Sequence, residues 1–184
     1  VCAAPVIASY MTYYVIRPQT LRHFGELIQP VQAIPDITAL SLEGKSVKLT
    51  DLKGQWLIVS VSSAACDALC QSNLLLQRQI RATLGREADR TDWVWLVTDN
   101  AEVSPSLQAG LTDAVVLRVA ADQLGQWLTP QTGHLQNEHL YLVDPHGNWM
   151  MRFPPRLQMD QASGLKRDWD RLLRASVSWD KAGR

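Results

Sequence analysis

Two of the three cysteines in this 184-residue chain sit four positions apart in "SSAACDALCQ", Ser62 to Gln71. Cys66 and Cys70 follow a run of strand-forming residues and open a stretch free of Pro and Gly. At a strand-to-helix turn, unpaired backbone N–H groups and the helix dipole favour negative charge. Both lower a thiol pKa and produce thiolate, the form that attacks disulfides and binds metals. Residues four apart on a helix carry Cβ atoms roughly 5–6 Å apart, whereas a disulfide wants about 3.5–4.5 Å. A pair wholly inside a regular helix would therefore be strained when oxidised. If Cys66 lies in the loop before the first turn, that strain is relieved. Two thiolates at a wide gap also suit a soft metal, Cu(I) or Zn. Two buried, inert cysteines on a helix are the plain alternative.

Two sulfurs are an incomplete ligand set, so a further donor must come from elsewhere in the chain. The histidines are His23, His134, His139 and His146. His23 lies near the N-terminus and His146 at the tip of an expected hairpin. His134 is in the loop "PQTGHLQNE", and His139 opens the strand "HLYLVDP". Met150 and Met151 are soft ligands in principle, but in "NWMMRF" they read as packing residues.

The elements that must position these groups follow from pattern. Two short alternating stretches flank Glu43-Gly44-Lys45, a hairpin turn. "QWLIVSVSS" reads as a buried central strand. From Cys66 to about Leu84 the spacing of Leu69, Leu74, Leu76, Ile80 and Leu84 predicts a helix, capped by Gly85. "DWVWLVTD" is a second strand. Ser104 and Pro105 start a short helix, "AVVLRVA" is a third strand, and "DQLGQWL" is another short helix. "HLYLVDP" and "GNWMMRF" form a strand pair turning at Pro145-His146-Gly147. "DQASGLKRDWDRLLRAS" closes the chain as an amphipathic helix, with Gly164 its weak point. Strands alternating with helices, then a late hairpin, imply an α/β mixed sheet flanked by helices. With a cysteine pair at the end of the first core strand, this is the pattern of a thioredoxin-like fold with an added N-terminal hairpin. In that fold the loop before the late strand faces the cysteine turn, which would bring His139, or His134, within reach.

Composition narrows the field. Apolar residues make up 46% and charged residues 20%, ordinary for a globular protein. Lys+Arg and Asp+Glu number 18 each. This balance argues against a nucleic-acid partner, which requires a basic face. Three cysteines are too few for a disulfide scaffold. "VCAAPVIASYMTYYV" is uncharged up to Arg17. Although shorter than the roughly 20 residues of a spanning helix, it reads as the end of an N-terminal membrane anchor over 1–16, with Tyr10, Tyr13 and Tyr14 at the interface. Residues 17–35, with Pro18, Gly25, Pro30 and Pro35, read as a linker, and 36–178 as the folded domain.

The assembled pattern resembles the Sco (SenC-type) copper-binding proteins that help assemble cytochrome c oxidase. The matching pieces are the N-terminal anchor, "LTDLKGQWLIVSV", "CDALC" at a strand-to-helix turn, and "HLYLVDPHGNWMMRF". The resemblance runs from about Ile34 to Arg174, and it is greatest to membrane-anchored Sco-like proteins of proteobacteria. The resemblance implies a thioredoxin-like domain on the periplasmic side of the inner membrane. It also implies copper held by Cys66, Cys70 and a histidine near position 139, and a cytochrome c oxidase subunit or another copper or thiol protein as partner. Family members usually carry prolines in and after the cysteine motif, where this chain has Asp67 and Gln71. The family histidine lies five residues before the Tyr of a Tyr-Leu pair, here Gln136, with His134 and His139 on either side. Three functions remain open at this level: a copper-handling assembly factor, a thiol-disulfide reductase for a periplasmic partner, and an interaction module with a degraded site.

Overall fold

A computed structural model describes residues 7, 10, 11 and 23–180. Among the described residues eight strands form one sheet in the order β1-β8-β7-β4-β5-β6-β2-β3. In chain order the strands are β1 (Glu26–Ala33), β2 (Thr38–Ser41), β3 (Ser46–Lys48), β4 (Trp56–Ser62), β5 (Thr91–Val97), β6 (Val115–Arg118), β7 (Leu140–Val143) and β8 (Asn148–Arg152). Over residues 23–180 the helices are α1 (Ala68–Thr83), α2 (Pro105–Gln108), α3 (Ala121–Gly125) and α4 (Ala162–Ser176), with short 3-10 turns between them. β4 runs parallel to β5 and antiparallel to β7, which makes the sheet mixed.

The central strand explains itself. All seven residues of β4 are buried, as a strand covered on both faces requires. Alternation divides them between two cores. Trp56 and Ile58 join Trp93, Trp95, Leu140 and Met151 under α1 and α4. Leu57, Val59 and Val61 join Val94, Leu96, Tyr141 and Trp149 on the opposite face. α1 lays Leu74, Leu76 and Ile80 on the first face, each such burial worth roughly 1.5–3 kcal/mol. Gln77 of α1 is fully buried and donates through Nε2 to the carbonyls of Ile58 (2.8 Å) and Val94 (3.0 Å). It fastens the helix to both parallel strands. α4 adds Leu165, Trp169 and Leu173, one stripe at four-residue spacing.

Two expectations are corrected. Residues 17–35 do not form a continuous linker, because Glu26–Ala33 is β1, paired antiparallel with β8. Pro30 and the other breakers concealed it. The strand lies at the sheet edge and its register slips between Leu27 and Gln32, a setting that tolerates a proline lacking an N–H. Buried Asp168 of α4 anchors the approach to β1 by accepting the N–H groups of Phe24 and, at 2.9 Å, Gly25. The long helix also begins later than expected, at Ala68 rather than Cys66. Most of the anchor expected over 1–16 lies outside the described residues. Among the described residues no helix is long and apolar enough to cross a membrane.

Candidate functional site: the Cys66–Cys70 turn

β4 delivers the chain to the site and α1 carries it away. Thr98 N–H donates to the Ser62 carbonyl at 3.0 Å, extending the β4–β5 pairing. Asp99, just after β5, accepts the Ala64 N–H at 3.1 Å and fixes the turn. Cys66 then adopts φ +44°, the left-handed region that non-glycine residues enter only at a cost. Asp67 is the N-cap of α1, its carboxylate accepting the Cys70 N–H at 2.9 Å. Thus Cys66 stands outside the helix and Cys70 in its first turn. Their Cα atoms are 5.0 Å apart and their sulfurs are bonded as a disulfide. A spacing too wide for an easy bridge within a helix becomes compatible once the first cysteine leaves the helix.

The bridge is packed from below. Cys66 is 2% exposed and Cys70 4%, within the same core as Trp95 and Leu140. Ser62 Oγ donates to Cys70 Sγ at 3.0 Å, and Trp95 Nε1 donates to Ser62 Oγ at 2.7 Å. Gln71 Nε2 donates to the Cys66 carbonyl at 3.0 Å. On either side of Cys66, Ala65 and Asp67 are exposed. The sequence pattern did not single out Ser62, Trp95 or Asp99, and marked Asp67 only as a departure from the family's proline. Only Asp67 left a signal, an N-capping residue type immediately before an uninterrupted helical stretch.

The segment carrying His134 and His139 does approach the cysteine helix. Asn73, three residues past Cys70, donates through Nδ2 to the Asn137 carbonyl at 3.3 Å. The histidines themselves are otherwise engaged. His139 is fully buried; its Nδ1 pairs with the Phe153 carbonyl at 2.8 Å and its Nε2 accepts the Gln131 N–H at 3.2 Å. A carbonyl can only accept, so Nδ1 carries the proton and the Nε2 lone pair is already used. Burial, chiefly, lowers the pKa of His139, outweighing the Phe153 hydrogen bond. His134 pairs through Nδ1 with Glu138 Oε2 at 2.8 Å. Glu138 also accepts the Leu135 N–H at 3.0 Å and Arg156 Nε at 2.7 Å. The Leu135 N–H first, then Arg156 and His134, hold its carboxyl down at about 2. Gln136, where the resemblance puts a histidine, donates instead to the Leu128 carbonyl at 2.6 Å. His146 is exposed at the hairpin tip and stacks on Trp179, ring centroids 5.1 Å apart.

The structure therefore joins Cys66 to Cys70 and ties His134 and His139 into a neighbouring polar network. Among the described residues no group of three His, Cys, Asp or Glu side chains is arranged to hold a metal ion. The two sulfurs suit a soft metal, but a set of two sulfurs and one histidine nitrogen does not fit this arrangement.

A mixed sheet flanked by helices, with a cysteine pair where the central strand meets a helix, defines a thioredoxin-like protein. The chain belongs to the family described as the transmembrane-like, thioredoxin-like, C-terminal domain, whose model matches residues 56–176. No curated protein matches the sequence. Solved structures with the same fold include a SCO1/SenC family lipoprotein from Bacillus anthracis, at 14% identity and TM-score 0.57, covering 79% of this chain and 98% of that one. Copper-bound yeast Sco1 matches at 15% identity and TM-score 0.59, covering 80% and 92%. The thioredoxin domain of a thiol-disulfide oxidoreductase from Bacteroides vulgatus matches at 20% identity and TM-score 0.56, covering 77% and 95%.

Proposed function

We propose that the domain is a thiol-disulfide exchange protein whose Cys66–Cys70 pair cycles between disulfide and dithiol against a partner's cysteines. The observation that carries this reading is the disulfide itself, seated between a left-handed Cys66 and a capped helix start. A partner thiolate attacks Cys66 Sγ. The Cys66–Cys70 bond breaks as the new S–S bond forms, and the electron pair leaves on Cys70 Sγ. A second partner thiolate then attacks the partner's sulfur in the mixed disulfide, releasing Cys66 as a thiolate. The partner dithiol is oxidised and the pair reduced; run backwards, the same steps reduce a partner disulfide. Cys66 is the sulfur to be attacked because its neighbours Ala65 and Asp67 face solvent, whereas Cys70 is bonded to Ser62 on the core side. Since Cys66 is itself buried, the turn must open for attack. A Cys70→Ala protein should retain partners as mixed disulfides at Cys66 that dithiothreitol releases. Capture unchanged by a further Cys66→Ala substitution would refute the role.

A second reading is supported by the two soft donors in one turn and by the shared fold of copper-bound Sco1. Here the reduced pair carries Cu(I) as cargo toward cytochrome c oxidase, from a domain tethered at the periplasmic face of the inner membrane. Titration of the reduced protein with Cu(I) tests it. Tight one-to-one binding lost in Cys66→Ala supports cargo, and its absence leaves exchange alone.

A further inference from the structure

We propose that Ser62 is a positioning residue for exchange at the disulfide, its hydroxyl held by Trp95 so that it donates to Cys70 and stabilises the thiolate that leaves there. The proposal rests on the exchange reading above and names a residue for it. An indole N–H only donates, so Ser62 Oγ must be the acceptor in its 2.7 Å contact with Trp95 Nε1. The Ser62 hydrogen is thereby left to point at Cys70 Sγ, 3.0 Å away. A disulfide sulfur is a weak acceptor, whereas a thiolate is charged and accepts far more strongly. The bond therefore strengthens as the Cys66–Cys70 bond breaks and charge arrives on Cys70 Sγ. Trp95 is fully buried, Cys70 4% and Ser62 8% exposed, so little water competes for these groups and the interaction is electrostatically strong. β4 and β5 set the geometry, since Ser60 pairs with Trp95 and Ser62 with Val97 in parallel register. The ionised groups hydrogen-bonded into the turn are Asp67, on the Cys70 N–H, and Asp99, on the Ala64 N–H. Neither bond involves the Ser62 side chain, so a substitution there leaves both in place.

The test uses the full chain with Cys2→Ser and Cys66→Ala, which leaves Cys70 as the single thiol, titrated by the ultraviolet absorbance of its thiolate. Ser62→Ala should raise the Cys70 pKa by about one to two units, the worth of a hydrogen bond to a charged group. Ser62→Thr, which keeps the hydroxyl, should restore most of the shift, and Trp95→Phe should give a smaller rise. With both cysteines of the pair present, Ser62→Ala should slow reduction by a small dithiol about three- to tenfold, because a leaving thiol of higher pKa leaves more slowly. An unchanged titration and an unchanged rate in folded Ser62→Ala protein would overturn the proposal. Should Ser62→Ala fail to fold, Trp95→Phe decides, and an unshifted titration there overturns it equally. The single-thiol titration is readable even if the pair never exchanges with a partner, so failure of the exchange reading and failure of this one are distinguishable.

Discussion

The Asp67 carboxylate accepts the Cys70 backbone N–H at 2.9 Å, so the residue directly after the first cysteine begins the helix that holds the second. Capping at this position keeps Cys66 out of the helix and lets the two sulfurs meet. Asp67→Ala should lower stability by about 1 kcal/mol, the usual worth of a capping side chain, and Asp67→Asn should lose much less. Urea denaturation of the oxidised protein reads both. Equal losses for Ala and Asn would show that the cap is not what Asp67 supplies.

Gly147 turns β7 into β8 at φ +87°, and a Cβ there would come within 2.6 Å of Ile34 Cγ2 and 2.9 Å of Lys53 Cε. Gly147→Ala combines left-handed strain with a close contact. It should cost roughly 1–3 kcal/mol by denaturant melting. A variant as stable as the parent would mean that the turn relaxes freely.

The Glu138 carboxyl, held at about 2 against an ordinary value of 4.5, sets an acid-side dependence. A folded-state pKa depressed in this way means the unfolded chain binds more protons between the two values. The stabilisation is present in full above about 4.5 and disappears as pH falls toward about 2. Glu138→Gln should flatten the stability profile in that window, as followed by thermal melting from pH 6 to 2. A parallel profile for the variant would contradict the assignment.

His139 titrates below its ordinary 6.5, chiefly because it is buried. The unfolded chain therefore binds this proton first, and stability falls as pH drops below about 6.5 until the folded-state value is passed. Imidazole NMR should show the His139 ring still neutral at its ordinary value of 6.5. A His139 ring that protonates at or above its ordinary value would contradict a buried imidazole hydrogen-bonded through both nitrogens.

How far the sequence reached depends on the kind of signal each residue leaves. β4, β5, α1 and α4 were legible because burial on both faces of a strand, or along one helical stripe, writes an apolar pattern into the chain. β1 was not, since an edge strand exposes most of its residues and tolerates Pro30. The cysteine pair was legible as chemistry, but its state turned on one backbone angle at Cys66, which residue types do not encode. The Ser62–Trp95 contact is set by strand register across residues 33 apart, and nothing local announces it. His139 was placed at the opening of the strand that is β7 and expected within reach of the cysteine turn; it lies directly before Leu140. Its engagement with Phe153 and Gln131 depends on two loops whose meeting only the folded chain reveals.

The most direct test of the exchange reading is a redox equilibrium of the purified protein. Samples are equilibrated in graded ratios of oxidised and reduced dithiothreitol or glutathione, quenched by alkylation and weighed by mass spectrometry. Cys66 and Cys70 should acquire their two labels together in one reversible two-electron transition, and Cys66→Ala should abolish it. Two cysteines that remain free thiols under the most oxidising ratio, or that take up label independently of one another, would contradict it.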